Sequence, residues 1–447
     1  MMKNLKVWSA IVIITATIVL SFAAGIRLTG IVNAEDNKYE ELKVFTEVLA
    51  VVKRNYVEEV NTKDLVYDAL KGMLRSLDPH SGFLTPEDFK EMKVDTKGEF
   101  GGLGIQISIK DNLLTVIAPI EDTPAWKAGI QAGDRIIKIE EESTKDMTLH
   151  EAVSKMRGKK GTPIKITVIR EGMEKPKEYT IVRDIIKIKS VKSRMIEGDI
   201  AYIKLSQFQE RSAEDLETAL RELMKDGKVK SIILDLRNNP GGLLSSAIDV
   251  SSLFLPKDKL VVYTMDRSGN KNEYASNGKT VSSAAPMVIL VNQGSASAAE
   301  IVSGALKDWN RAVILGITTF GKGSVQSVIP LSDGAGVRIT TAKYYTPKGI
   351  SIQNTGIKPD IEVKLEAKNG AKAHTVIRES DLEGSLKNEQ IDGKDKKDSK
   401  DSEEAVVSLA DLDEKDDTQL QRAIELLKTW VVFKNLPTDA AIQNSNN

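Results

Sequence analysis

Apolar residues recur every three or four positions between residues 36 and 93, which is the spacing of amphipathic helices with one buried face. Polar turns interrupt the pattern twice. Asp-Pro-His-Ser-Gly at 78–82 ends the second helix, and Thr-Pro-Glu-Asp at 85–88 begins a third. We therefore predict a helical N-terminal region over residues 35–97, in which His80 is a turn residue.

The period of the pattern changes to two at about residue 98, which indicates β-strands. Two short helical pieces, at 124–129 and 148–157, interrupt the strands. This arrangement predicts a small β-rich domain over residues 98–185. Its strands are expected at 104–109, 113–118, 135–139, 164–170 and 178–182.

Strands and helices alternate from residue 186 to residue 367, which is typical of an α/β core. Helices are expected at 212–226, where Ser212 and Asp215 have capping-box spacing, and at 244–254. A hairpin signal, Asp-Gly at 333–334, separates the last two strands. The strands are expected at 200–208, 231–236, 287–291, 324–330 and 336–345.

The chain after the α/β core has two parts of different composition. Residues 387–404 hold five Lys, seven Asp or Glu and a single aliphatic residue, which is too little apolar surface to fold. We therefore expect a charged, disordered linker over residues 368–415. A helical stripe returns after residue 418, so residues 416–447 are expected to form a C-terminal helical region that docks on the core or on a second subunit.

The N-terminus has the pattern of an export signal. Lys3 and Lys6 precede eighteen uncharged residues at 7–24, and Val-Asn-Ala at 32–34 provides a small-residue cleavage site. A retained membrane anchor explains the same pattern, because about 20 apolar residues span a bilayer. Both alternatives predict export to the periplasm or cell envelope. Residues 1–34 are then either a cleaved signal peptide or an inner-membrane anchor formed by residues 7–24.

Net charge and cysteine content exclude several kinds of partner and catalytic mechanism. The formal net charge of the 447 residues is −1, so nothing calls for a nucleic-acid partner. Cysteine is absent, which excludes thiol catalysis, disulfides and cysteine-ligated metals.

The candidate nucleophile is a serine beside the strand at 287–291. Ser295 and Ser297 follow this strand, and a helix is expected to begin near Ala298. Free backbone N–H groups and the positive end of the helix dipole lie at such a position, where an oxyanion is best stabilised. The alternative is that either serine only caps the helix.

The base is expected to be a lysine rather than a histidine. The three histidines, His80, His150 and His374, lie in segments remote from Ser297, which disfavours a Ser-His-Asp triad. Lys322 lies between glycines after an apolar run, where burial would lower its pKa, and Gln326 is placed to hold the amine. A phosphate loop is disfavoured because Gly-Lys-Gly-Ser lacks the required spacing.

These motifs resemble the carboxyl-terminal processing peptidases, or tail-specific proteases, of peptidase family S41. The matching strings are Gly-Ser-Ala-Ser-Ala at 294–298, Lys322, Gln326 and Asp-Leu-Arg-Asn-Asn-Pro-Gly-Gly at 235–242. The resemblance implies a Ser-Lys dyad in which Ser297 is the nucleophile, Lys322 the general base and Gln326 the orienting residue. It also implies an oxyanion hole made by the backbone amides of Ala298 and of Gly241 or Gly242. No metal or cofactor is expected.

Residues 98–185 resemble a PDZ domain through Gly-Gly-Leu-Gly-Ile at 101–105 and Thr-Pro-Ala at 123–125. The resemblance implies that the backbone amides of Gly102, Leu103, Gly104 and Ile105 bind the terminal carboxylate of protein substrates with apolar tails. A ligand-free β domain is the alternative. The implied fold is α+β multidomain, with N-terminal helices, a PDZ domain, a crotonase-like (ClpP/crotonase) α/β protease core and a C-terminal helix.

Control and assembly follow from the same resemblance. The N-terminal helices are expected to pair two subunits into a homodimer, and an adaptor or regulatory protein is a possible partner. We hypothesise that Arg157 touches the segment 322–326 when a tail is bound, the alternative being a solvated basic turn. Two other functions compete with a protease: an inert PDZ peptide-binding scaffold and an acyl-handling enzyme of the crotonase fold.

Overall fold

The computed structural model describes residues 40–282, 284–365, 377–390 and 413–434. The chain divides into an N-terminal unit that ends at Met73 and a second unit that begins at Leu74. In the first unit, helix α1 covers residues 40–55 and exposes its large apolar side chains, and α2 (Thr62–Arg75) follows. Over the described residues, no helix has the length and apolar character needed to cross a membrane. The expected export signal at 1–34 lies outside these residues.

The second unit opens with the segment that joins the helices to the β domain. It contains β1 (Gly82–Leu84) and α3 (Pro86–Lys97). Thr85 and Asp88 form a capping box at the start of α3, and Gly98 ends the helix with a left-handed φ of 71°. The predicted third helix is therefore confirmed, together with its start signal.

The predicted β-rich domain is confirmed as a small antiparallel sheet with two helices. The strand order is β3-β4-β5-β7-β8, with β6 beside β5, while β2 pairs with β9 at the base of the domain. Side chains on the inner face of the sheet, such as Val116, Ile136 and Ile166, form its core. The elements are β2 (Glu99–Gly102), β3 (Ile105–Lys110), β4 (Leu113–Pro119), α4 (Pro124–Lys127), β5 (Arg135–Ile139), β6 (Glu142–Ser143), α5 (Leu149–Met156), β7 (Pro163–Ile169), β8 (Lys177–Val182) and β9 (Asp184–Lys187).

The α/β core is built on a six-stranded sheet of order β10-β11-β12-β15-β16-β19. All neighbours are parallel except β10 and β11. Alternate residues of a strand face opposite sides, so Ile232 and Leu234 pack under the helices while Ile233 faces the other layer. The elements are β10 (Val191–Ile196), β11 (Ile200–Leu205), α6 (Ser212–Met224), β12 (Ser231–Asp235), α7 (Leu244–Ser252), β15 (Met287–Val291), α8 (Ala298–Asp308), β16 (Val313–Gly316) and β19 (Ile361–Glu362).

A second sheet contains the two strands that follow Lys322. It has the order β1-β18-β13-β14, and β17 pairs with β18. Both strands of the predicted hairpin have the expected limits. The elements are β13 (Leu260–Asp266), β14 (Lys271–Ala275), β17 (Ser324–Pro330) and β18 (Gly336–Tyr345).

The C-terminal helix packs on the core, as predicted. Helix α9 (Thr418–Lys434) covers the face of the six-stranded sheet opposite α6, α7 and α8. Its buried residues are Leu420, Ala423, Ile424 and Leu427. Helices thus cover both faces of the parallel strands, as parallel sheets require.

Two expectations from the sequence are wrong. Ser212 does not form a capping box, because its Oγ bonds to Ser190 Oγ at 2.8 Å and accepts from Gln209 N at 2.9 Å. Residues 377–390, expected within a disordered linker, fold onto the core with a short helix (Glu379–Asp381) whose Glu379 is fully buried. Polar partners compensate for the low apolar content there. The rest of the expected linker, at 366–376 and 391–412, lies outside the described residues.

Candidate active site

Ser297 lies at a sharp turn between β15 and α8. Its backbone has φ +53° and ψ −112°, a conformation that costs free energy in a residue with a side chain. Ser295 is fully buried, and its Oγ donates to the Leu236 carbonyl oxygen at 2.8 Å and accepts from Asn292 N at 3.0 Å. Of the two candidate serines, therefore, Ser295 fixes the turn and Ser297 faces the cavity.

The turn at 238–242 lies against Ser297. Gly241 has φ +100°, and a Cβ atom there would lie 2.8 Å from Ser297 Cβ, so only glycine fits. Its N–H donates to Asn239 Oδ1 at 2.9 Å. Gly242 has φ +144° and lines the cavity, and the described residues provide no acceptor for its N–H. Ala298 N is the first helical N–H of α8, which has no acceptor within its helix.

Lys322 is half-buried in the loop between β16 and β17. Burial lowers the pKa of its ammonium below the usual range, and the positive charge of Arg338 lowers it further. The carboxylates of Glu379, Asp78 and Glu300 act in the opposite direction. Because the net direction is downward, the neutral amine is more accessible than in an ordinary lysine.

One cavity of about 510 Å³ brings the candidate catalytic groups together. Gln326 lies on its wall, with Nε2 donating to Ser324 Oγ at 2.9 Å and to Thr340 Oγ1 at 3.3 Å. Residues as far apart in sequence as Met92 and Tyr344 thus line one site. From the sequence candidates it includes Ser297, Ala298, Gly242, Lys322 and Gln326.

Glu300 is a site residue that the sequence reasoning missed. It is fully buried and accepts hydrogen bonds from Ser297 N (2.8 Å), Gly321 N (2.7 Å) and Lys322 N (3.0 Å). Thr319 Oγ1 donates to it at 2.5 Å. Burial raises the pKa of Glu300 to about 7 against the effect of these bonds. One carboxyl group therefore ties the nucleophile turn to the lysine loop.

Tyr344 is the second residue that was missed. Its buried hydroxyl donates to the Lys322 carbonyl oxygen, and Tyr344 lines the same cavity as Ser297. Burial raises its pKa well above the usual value, so it remains a neutral donor. The position of Glu300, three residues after Ser297, matches a capping box and was a usable signal, whereas nothing in the local sequence marks Tyr344.

A second cavity of about 210 Å³ lies in the β domain between β3 and α5. Its apolar walls include Ile107, Val153 and Met156. The expected carboxylate-binding residues Gly102, Leu103, Gly104 and Ile105 line it.

Arg157 lies at the rim of this second cavity and faces α3. Its Nη1 is 3.6 Å from Glu91 Oε1, and its guanidinium lies 5.0 Å from the ring centre of Phe100. Its Nε is buried, and none of the described residues accepts a hydrogen bond from it. Met92 and Thr96 of the same helix line the catalytic cavity. The structure thus places Arg157 against α3 rather than against the segment 322–326.

Comparisons with known proteins cover most of the chain. The model of peptidase family S41 matches residues 199–363, that of the PDZ domain residues 115–170, and that of the activating protease CtpB N-terminal domain residues 26–87. A carboxy-terminal-processing protease of Bartonella bacilliformis is 42% identical over 434 residues, 94% of this chain and 98% of the relative.

Other relatives have similar descriptions. A carboxyl-terminal-processing protease of Synechocystis is 40% identical over 69% of this chain and 74% of its own length. The carboxy-terminal processing protease CtpA of Bacillus subtilis is 39% identical over 74% of this chain and 70% of its own length. Among solved structures, a photosystem II D1 C-terminal processing protease is 30% identical with a TM-score of 0.43, and the match covers 72% of this chain and 92% of that one.

Proposed function

Because the chain belongs to the S41 family of carboxyl-terminal processing proteases, as the motifs predicted, we propose that Ser297 and Lys322 form its catalytic dyad. The enzyme is a serine-type protease with a PDZ domain, and its class is α+β multidomain. The observation that carries the proposal is a half-buried lysine with a lowered pKa in the same cavity as a serine at a helix N-terminus.

The proposed reaction moves one proton back and forth. Neutral Lys322 Nζ takes the proton of Ser297 Oγ as that oxygen attacks the peptide carbonyl carbon. The C–N bond breaks, and the Lys322 ammonium gives its proton to the leaving amine. Water then attacks the acyl ester, Lys322 accepts the water proton, and Ser297 Oγ is released with that proton.

The oxyanion is best placed between the N–H groups of Ala298 and Gly242. Gly241 is the weaker of the two glycine candidates, since its N–H already donates to the Asn239 side chain. Its part is to let the turn approach Ser297. Gln326 uses its amide nitrogen on Ser324 and Thr340, which leaves its Oε1 to accept from the Lys322 ammonium.

Substrates are proteins whose apolar C-terminal tails enter the PDZ cavity and are cleaved near that end. The tail adds as a strand beside β3, and the amides at 102–105 receive its carboxylate. Arg157 couples tail binding to catalysis through helix α3. Its partner Glu91 lies on this helix, and other residues of the same helix line the cavity of Ser297. If Arg157→Ala cleaves an unfolded substrate at the wild-type rate with unchanged tail affinity, this coupling does not exist.

Assembly and location complete the proposal. The exposed apolar residues of α1, including Leu42, Phe45 and Val48, support pairing of two subunits through the N-terminal helices. The sequence at 1–34 supports export to the periplasm or cell envelope. Sedimentation of the full chain and of a Leu42→Glu, Val48→Glu variant tests the first point, since only the former should be dimeric.

The deciding experiment is mass spectrometry of a loosely folded protein with an apolar C-terminus after incubation with the full chain. Wild type and the exposed control Ser268→Ala should release tail-end fragments, while Ser297→Ala and Lys322→Ala should release none. Tail binding without cleavage by the wild type would favour the scaffold alternative. Cleavage that survives in both variants would show that the dyad is misassigned.

A further inference from the structure

A buried carboxylate that is hydrogen-bonded to a histidine ring lies next to the lysine loop. Glu379, from the segment at 377–390, is fully buried, and its Oε2 lies 2.7 Å from His80 Nε2. The two residues are 299 positions apart. A buried carboxylate is costly unless it is paired and hydrogen-bonded, so its position calls for an explanation.

Glu379 is hydrogen-bonded, directly or through Gln353, to the loop on both sides of Lys322. Its backbone N–H donates to the Phe320 carbonyl oxygen at 3.1 Å. Its Oε1 accepts from Gln353 Nε2 at 2.9 Å, and Gln353 Oε1 accepts from Gly323 N at 2.9 Å. Residues on both sides of the lysine are therefore fixed to Glu379: Phe320 by the backbone N–H of Glu379, and Gly323 by the Glu379 carboxyl group through the Gln353 amide.

His80 also binds Arg338, the positively charged residue that acts on Lys322. Its carbonyl oxygen accepts from Arg338 Nε at 2.9 Å, and its ring bonds to Glu379. Arg338 favours the neutral form of Lys322, and Glu379 favours the charged form. The turn is fixed in place by Asp78, whose Oδ1 accepts from His80 N at 2.8 Å.

We propose that Glu379 and His80 are positioning residues for the general base, holding the Lys322 loop in register and balancing the charges around its amine. The inference rests on the proposed role of Lys322. The charged groups that act on the amine are Arg338 from β18, Glu300 from α8, Asp78 from the turn at 78–81 and Glu379 from the short helix, and His80 bonds to Glu379.

The substitution Glu379→Gln removes the negative charge of the side chain and keeps its shape. Glu379→Gln keeps an oxygen for Gln353 and removes a negative charge that stabilises the Lys322 ammonium. The acidic limb of the kcat/KM profile should therefore move to lower pH. We expect the ratio of kcat/KM at about pH 7 to that at about pH 9 to rise about threefold or more. The matched control is Glu383→Gln, an exposed carboxylate on the same segment, which should leave the ratio unchanged.

Substitution by alanine removes the hydrogen bonds of the two side chains, and a conservative substitution tests whether one of these bonds restores activity. Glu379→Ala and His80→Ala should lower kcat at least about tenfold at every pH with little change in KM, because the base is no longer aligned. His80→Gln keeps an N–H near the position of Nε2 and should restore most of the wild-type kcat. Circular dichroism checks that each variant is folded.

Two results would overturn the inference. One is a Glu379→Gln profile that superimposes on the wild-type profile or moves to higher pH. The other is a folded Glu379→Ala variant with wild-type kcat. Lys322→Ala is measured alongside: if it is inactive while the Glu379 variants behave as wild type, only this inference fails, whereas an active Lys322→Ala refutes the dyad itself.

Discussion

Asp417 joins the C-terminal helix to the strand that leads into the oxyanion turn. Its two carboxylate oxygens each accept from Arg237 at 2.8 Å, and its Oδ1 also accepts from Leu420 N at 3.0 Å, which caps α9. Arg237 is 2% exposed, and its remaining donors bond to Asp235 and to Gln419 Oε1. Since Arg237 immediately precedes the turn at 238–242, Asp417→Ala should affect both stability and catalysis.

The size of the effect follows from these contacts. Removing one partner of a buried ion pair costs about 3–5 kcal/mol. Asp235 still pairs with the charged Arg237 guanidinium in the variant, so the loss lies near the lower end of this range. Loss of the hydrogen bond that caps α9 adds about 1 kcal/mol. We therefore expect Asp417→Ala to lower the free energy of unfolding by about 4 kcal/mol. Asp417→Asn keeps the capping oxygen and should lose about half as much.

Urea unfolding provides the assay, with the exposed ion pair Arg422–Glu425 of the same helix as the control. Glu425→Ala breaks that pair, in which both side chains are more than half exposed, and should cost under about 0.5 kcal/mol. The kcat of Asp417→Ala should also fall, because Arg237 no longer fixes the oxyanion turn. The reasoning is refuted if Asp417→Ala unfolds within about 1 kcal/mol of Glu425→Ala.

Three further predictions concern the site itself. Gly241→Ala should reduce kcat at least about a hundredfold, because its Cβ would displace Ser297, whereas Gly269→Ala, which also has a positive φ but no neighbour within 4 Å, should remain active in the same cleavage assay. Because only the neutral amine of Lys322 is a base, kcat/KM should fall as the pH drops through its lowered pKa, and Lys322→Arg should be inactive at every pH. The pKa of Glu300 in the folded state, about 7, lies above its value in the unfolded chain. The stability that protonated Glu300 contributes is therefore complete below about pH 4.5 and is lost as the pH rises through 7. Thermal unfolding should show that the free energy of unfolding falls by about 3 kcal/mol between pH 5 and pH 8 in the wild type but not in Glu300→Gln.

Local pattern was sufficient to predict most elements of the fold. Strands β15, β17 and β18 have the expected limits, because apolar runs and turn residues mark them within a few positions. The Ser297 and Lys322 motifs identified the family. The capping-box expectation for Ser212 failed because a tertiary partner, Ser190, takes its hydroxyl.

Contacts between distant segments were not predictable from local pattern. His80 is correctly a turn residue, yet its ring bonds to a carboxylate 299 positions away. Residues 377–390 were assigned to a linker because the composition of the charged stretch that follows was extended to them. Their fold depends on a few buried polar bonds, such as the one from Asn388 Nδ2 to the Gln353 carbonyl oxygen at 2.7 Å. Such bonds leave almost no hydropathy signal.

The position of α9 has a consequence for the order in which the enzyme matures. Helix α9 covers one face of the central sheet, so Ile233, Val288 and Leu290 lack their cover until this helix has been synthesised. Domains fold as units while the chain emerges from its N-terminus. A chain that stops before α9 therefore contains the proposed nucleophile and base but lacks the bonds of Asp417 to Arg237, which precedes the proposed oxyanion turn. Formation of the proposed site is thereby coupled to the synthesis and docking of α9.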